Sequence, residues 1–295
     1  MLPGLWAVFT VIAAGGQTLR NALQRELTAT LGTVGATHVR FLYGLPFGWL
    51  FLAFVLKFSG ATMPVLHGEM LLWTTIGAVT QIVATALLLS AMREKSFVVV
   101  TALSKTEPVE VALFGLIVLG DPITLGLALA ILIATAGVVL MSWPKQPTEW
   151  APRPILLGLV SASFFAMSAI GFRRAILSLD APNFAVQAST TLAIGLTIQV
   201  ILLTTYLVVT DRPTLVALFK AWRPSVKAGF MGAFASQCWF LAFSLESAAK
   251  VRTLALIEIL FAQLISRNLF RQSLASREAI GIGLIVVGVV VLLNT

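Results

Sequence analysis

The chain is predicted to fold as an all-α polytopic membrane protein, with about ten transmembrane helices forming two inverted five-helix repeats. Three observations predict it: about ten apolar runs of 18 to 25 residues, a repeat of features 151 residues apart, and carboxylates inside two of the runs at matching places. Mean hydropathy is +0.97, 58% of residues are hydrophobic and 11% are charged, far from the soluble average of about 25% charged. Each run is long enough to cross roughly 30 Å of hydrocarbon at about 1.5 Å per residue. Together they fill nearly all 295 residues and leave no room for a soluble domain.

The spans are expected near 5–23, 33–56, 70–92, 97–119, 122–142, 155–174, 183–209, 225–246, 250–270 and 277–294. Before the first span there is no Lys or Arg, so the basic region of a secretory signal is not expected. As that span leaves the membrane, Gln17, Arg20, Asn21 and Gln24 form a polar stripe at helical spacing, read either as a cavity wall near the mouth or as a solvated helix end. The second span carries His38 and Arg40, two residues apart and therefore pointing away from each other. The third carries Gln81. Arg93-Glu94-Lys95 and Gly120-Asp121-Pro122 make very short junctions, which force antiparallel neighbours.

The fourth span holds Thr101, Ser104, Lys105, Thr106, Glu107 and Glu110 around its middle. At 100° per residue, Lys105 and Glu107 lie about 200° apart and cannot pair directly. Each needs a partner from another helix, water or a ligand. Pro108 lacks an N–H and crowds the carbonyl of Ser104, so a kink is expected there. On the fifth span Gly126, Ala130 and Ala134 form a small-residue face, matched on the tenth by Gly281 and Gly288. Such faces permit close helix packing, within one chain or across a dimer. Between Ser142 and Pro154 four prolines divide the chain, giving expected repeats at 1–146 and 147–295. In the second repeat the polar residues are Gln187, Thr190, Thr191, Gln237, Glu258 and Gln263. Cys238, the only cysteine, excludes an internal disulfide and reads as a small packing residue.

A formal charge of +8 comes from residues between spans, not from one basic face, so no nucleic-acid partner is inferred. Thirteen Lys and Arg fall on the side reached after the first span and five on the other. The positive-inside rule then puts both termini outside the cytoplasm.

Shifting the chain by 151 residues superposes Ala91 on Ala242, Ser96 on Ser247, Leu103 on Leu254, Glu107 on Glu258 and Gly137 on Gly288. A shift of 154 matches Gly4 with Gly158 and Arg20 with Arg174. Because carboxylates inside spans are rare, the glutamate match carries more weight than the glycines. Five is an odd number of spans, so the second repeat enters the membrane from the opposite side. Inverted repeats are a hallmark of secondary transporters.

The duplicated unit, His38-Val39-Arg40-Phe41, Thr106-Glu107-Pro108-Val109 and Gly120-Asp121-Pro122-Ile123-Thr124 resemble the drug/metabolite transporter superfamily, in its ten-span EamA-like branch. The resemblance implies a carrier exporting or exchanging small polar metabolites, a central cavity lined by spans one to four and six to nine, and spans five and ten at the periphery. It also implies cytoplasmic termini, opposite to the charge count. At 259 the second repeat has Ile where the first has Pro108, so no matching kink is expected in the ninth span.

The residues then point to a secondary transporter of a small polar or zwitterionic metabolite such as an amino acid, working by alternating access in the cell membrane, the inner one in a Gram-negative cell. Candidate substrate-binding residues are Lys105, Glu107, Thr101, Arg40, Gln17, Gln81, Gln237 and Glu258. Glu107, Glu258 and His38 are candidates for proton coupling. The competing reading of Lys105 is an ion pair with Glu258 or Glu110, and of the glutamates and His38 a packing role through hydrogen bonds. No cofactor or metal is expected, and the partners are a small-molecule substrate and the bilayer, with the chain monomeric or homodimeric. A channel or structural subunit is the alternative. An intramembrane enzyme has less support, for there are two His in all and no H-E-x-x-H or G-x-S-x-G. No P-loop is present either, so direct ATP drive within the chain is unsupported.

Overall fold

The computed structural model describes residues 4–91, 105–141, 152–261 and 276–295. The described residues are helical, with no strand. In chain order the helices are α1 (Leu5–Leu42), α2 (Leu45–Ser59), α3 (Gly68–Ala91), α4 (Glu107–Leu119), α5 (Leu125–Met141), α6 (Pro152–Ser178), α7 (Phe184–Thr210), α8 (Arg212–Lys220), α9 (Trp222–Leu245), α10 (Ala248–Leu254) and α11 (Ser276–Leu293). A 3₁₀ turn, Ala255–Ile257, follows α10. Among them, five stretches are long and apolar enough to cross a membrane, Glu26–Ser59, Gly68–Ser90, Leu156–Ser178, Phe184–Thr210 and Trp222–Leu245.

The segment α1 is a hairpin of two helical legs. Gly32 sits at φ 67° and ψ −178°, a region essentially reserved for glycine. Across it, Gln24 Nε2 donates to the carbonyl of Ala36 at 2.8 Å; twelve residues of unbroken helix would separate them by about 18 Å. The chain therefore doubles back at Gly32, and the first span runs well beyond residue 23. This corrects the reading of the polar stripe as a solvated helix end: Arg20 is 4% exposed and Gln24 1%. It also removes Arg20 from the loop charges, along with the buried Arg173 and Arg252.

Two compact units emerge, and they cut across the sequence halves. One comprises Met1–Ile82 and Gly171–Leu245, the other Val83–Ile170 and Glu246–Thr295. In the first unit α9 packs along both legs of the α1 hairpin. Close approach is possible because of small residues: a Cβ at Gly16 would lie 3.3 Å from that of Ala235, and one at Gly229 would lie 2.5 Å from the Tyr43 carbonyl carbon. The buried aromatics Phe172 and Phe240 meet at 4.7 Å between centroids.

In the second unit α5 and α11 pack against each other. A Cβ at Gly288 would stand 2.8 Å from the Ala134 nitrogen, and one at Gly137 2.6 Å from the Gly281 carbonyl oxygen. The small-residue faces thus serve packing within the chain, a choice the sequence left open. Ala134, Val138 and Ile285 form a core with Leu256 from the 3₁₀ turn, flanked by Ile259 and Leu260. The helix pair thereby braces the ninth span at the place where its helix changes.

Candidate functional site

The two repeat-equivalent spans each have a turn just before their shared glutamate, Lys105–Thr106 before Glu107 and Ala255–Ile257 before Glu258. In the fourth, Lys105 and Thr106 form a turn and α4 starts at Glu107 with a proline in its first turn. There the missing N–H of Pro108 costs nothing, because the first N–H groups of a helix have no intrahelical partner. Pro108 therefore opens a helix instead of kinking the described one; Ser104, whose carbonyl it was expected to free, lies outside the described residues. In the ninth, α10 ends at Leu254 and the chain tightens into the 3₁₀ turn before Glu258. Subtracting the 151-residue offset places that turn on 104–106. This overturns the expectation that the ninth span, lacking a proline, would run without a matching irregularity. The physical reason lies in packing: Leu256 is drawn into the core between α5 and α11, and a tighter turn reorients the backbone without needing a proline.

Beside these turns four charges form two ion pairs. Lys105 Nζ forms an ion pair with Glu258 Oε1, and Arg252 Nε lies 3.1 Å from Glu107 Oε1. The side chains are at most 19% exposed. Neither that Nε nor that Oε1 makes a hydrogen bond, so the Arg252–Glu107 contact is Coulombic and off the N–H axis. An isolated charge at mid-span costs about 2.5–3.5 kcal/mol on insertion scales, and pairing offsets this. Lys105 and Glu107 do not pair with each other, although Lys105 lies in the turn ahead of α4 and not on one helix with Glu107 as expected. The residue that sequence reasoning missed is Arg252, counted with the loop cations. Its signal was available: it falls within the expected ninth span and matches Thr101 of the fourth.

The first unit holds a separate set of buried polar contacts. His38, fully buried, meets Thr204 Oγ1 through Nε2 at 2.9 Å. Arg40 donates to Ser236 Oγ at 3.4 Å and lies 5.1 Å over the Phe41 ring. Gln17 Oε1 accepts from the Trp239 indole at 3.2 Å. Gln81 Oε1 accepts from Gln199 at 2.9 Å, and Gln237 donates to Ser189 at 2.9 Å. The stems of Arg20 and Arg40 converge on Gly232, where a Cβ would meet Arg40 Cγ at 3.0 Å and Arg20 Cδ at 3.6 Å. Arg173, also missed from sequence, donates to the Phe243 carbonyl at 2.6 Å. Arg174, matched to Arg20 by the repeat, instead pairs with Glu69 at 2.8 Å on an exposed surface. The structure thus joins Lys105 to Glu258 and Glu107 to Arg252, while Gln17, His38, Arg40, Gln81 and Gln237 each have their own local partner. Thr101 and Gln263 lie outside the described residues.

The EamA-like transporter family model matches the chain twice, over residues 3–143 and 152–294. The two matches end 151 residues apart, the same offset that superposes Glu107 on Glu258. No curated protein matches. Among solved structures, a crystal structure described only as that of a protein aligns with a TM-score of 0.69 at 15% identity, covering 98% of this chain and 95% of its own. At that identity the likeness shows the fold alone.

Proposed function

Because the chain belongs to the EamA-like transporter family, whose members move small molecules across membranes, we propose that it is a secondary carrier exporting or exchanging a small zwitterionic metabolite such as an amino acid. The observation that carries this reading is the reciprocal pair of salt bridges beside the start of α4 and the turn after α10, Lys105 with Glu258 and Arg252 with Glu107. A ligand with a carboxylate and an amine supplies both signs of charge. Its carboxylate replaces a glutamate beside Lys105 or Arg252, and its amine replaces the cation beside Glu258 or Glu107. Each exchange keeps every low-dielectric charge paired, so binding avoids most of the desolvation cost of burying an ion. A purely cationic or anionic solute would leave one protein charge uncompensated.

Alternating access follows from the same elements. A span broken by a turn can pivot there at lower cost than a continuous helix, since fewer backbone hydrogen bonds are lost. Proton coupling through Glu107 or Glu258 fits as well: a protonated carboxyl releases its cation for the ligand. We place the protein in the cell membrane, the inner one in a Gram-negative cell, with a small molecule and lipid as its partners and no nucleic acid. The test is counterflow of labelled amino acids and other metabolites in proteoliposomes, with Lys105→Ala, Glu107→Gln and Arg252→Ala beside the wild type. Saturable counterflow lost in all three folded variants supports the site. Counterflow that none of them alters would reject it, and unsaturable flux would favour a channel.

A further inference from the structure

The only described helix in the first unit too short to span a membrane, apart from α2, is α8, and it joins two antiparallel spans, α7 and α9. A connector of nine residues between two spans lies at the depth of the lipid headgroups. It is held firmly. The Asp211 carboxylate caps its start, accepting from Thr214 N at 3.1 Å and Thr214 Oγ1 at 2.6 Å. Leu218 is fully buried, and its carbonyl accepts from Tyr43 Oη at 3.0 Å. The opposite side of the helix is open: Val216 is 52% exposed, Phe219 59% and the adjoining Trp222 53%.

Around these exposed apolar groups stand Arg212, Lys220, Arg223 and Lys227, all exposed. Arg212 Nε donates to the Val208 carbonyl at 2.9 Å. The Arg223 guanidinium lies 5.5 Å over the Trp222 ring, which sets a cation beside an indole at one end of the patch. The only carboxylate in the segment is Asp211, whose two oxygens are taken by Thr214. The connections 60–67 and 179–183 of the same unit contain no Lys or Arg; the cations that border them are Lys57 and Arg174, the latter paired with Glu69.

We infer that α8 and the start of α9 form a docking surface for anionic phospholipid, with Phe219 and Trp222 among the acyl chains near the headgroups and Lys220, Arg223 and Lys227 on the lipid phosphates. Apolar burial and cation–phosphate attraction act at the same depth, as in amphipathic helices that lie in the interface. A cation near such a surface contributes about fivefold in affinity. The inference does not depend on what is transported.

The test is native mass spectrometry of the full-length protein with equal amounts of phosphatidylglycerol and phosphatidylcholine, with thermal unfolding in each lipid as a second readout. The wild type is expected to retain the anionic lipid preferentially and to unfold at higher temperature with it. Lys220→Gln alone should lower the preference about fivefold, and Lys220→Gln with Arg223→Gln and Lys227→Gln at least about tenfold. Lys220→Arg and the distant Arg174→Gln should keep it. Equal retention of the two lipids by the wild type would overturn the inference, as would an unchanged preference in the single variant. Displacement of the lipid by equimolar soluble glycerophosphate would overturn it too, by showing a site for phosphate without acyl chains.

Discussion

Glu107 and Glu258 occupy the same position in the two repeats, and each holds a cation contributed by the other's span: Arg252 for Glu107 and Lys105 for Glu258. The symmetry lies in the carboxylates and in the exchange. It does not extend to the cations themselves, since Lys105 and Arg252 stand at different distances ahead of their own span's glutamate, two residues before Glu107 and six before Glu258. Each bridge joins the fourth span to the ninth, and each lies beside a turn, Lys105–Thr106 on one span and Ala255–Ile257 on the other.

Breaking one bridge while leaving its partner buried should be expensive, about 3–5 kcal/mol for a well-buried pair. Lys105→Glu and Glu258→Lys are each expected to lower the unfolding temperature and abolish counterflow. The double swap Lys105→Glu/Glu258→Lys should recover much of both. If the single variants match the wild type in unfolding and flux, the pair has neither role.

The turn at Gly32 offers a backbone test. Gly32→Ala forces a side chain into a glycine-only conformation and should destabilise the protein by about 1–3 kcal/mol. Gly15→Ala, in the same helical segment with nothing within 4 Å of the added Cβ, should be neutral or stabilising by about 0.5–1 kcal/mol. Unfolding in detergent compares them directly, and equal loss in both would contradict a hairpin at Gly32.

On α11 two glycines have opposite surroundings. At Gly288 an added Cβ meets backbone of α5 at 2.8 Å, whereas at Gly283 it meets nothing within 4 Å. Gly288→Ala is expected to cost about 1–3 kcal/mol through overpacking, and Gly283→Ala to be tolerated. The measurement is the unfolding midpoint of each variant; a tolerated Gly288→Ala would mean that α5 and α11 are not packed this closely.

The cap of α8 should respond to pH. Hydrogen bonds from the Thr214 side chain and backbone hold the exposed Asp211 carboxyl below its ordinary value of 3.8. A depressed folded-state pKa contributes stability that is present above the unfolded value and lost as pH falls through the folded one. Asp211→Ala should therefore speed hydrogen exchange at the Thr214 amide at neutral pH, and the two proteins should converge only below the ordinary carboxyl value. A difference that persists in strong acid would assign the cap to something other than the ionised carboxylate.

Apolar run length and the 151-residue offset made the membrane class, the two-repeat plan and the glutamates at 107 and 258 readable from residues alone, because bilayer thickness imposes a minimum length on each span and a charge within one is costly enough to stand out. Packing decided the rest. Run length could not reveal that the first span continues to Gly32, since polar residues such as Arg20 and Gln24 look like a helix end until burial shows them inside the unit. Nor could it place Arg252 on Glu107 or Lys105 on Glu258, because those contacts join residues some 150 positions apart in the chain. The small faces of the fifth and tenth spans were visible as patterns, yet whether they met within one chain depended on Ala134 and Gly288 coming together. The 3₁₀ turn at Ala255–Ile257 has no proline to announce it; Leu256, seated between α5 and α11, selects it through a contact that exists only once the unit is folded.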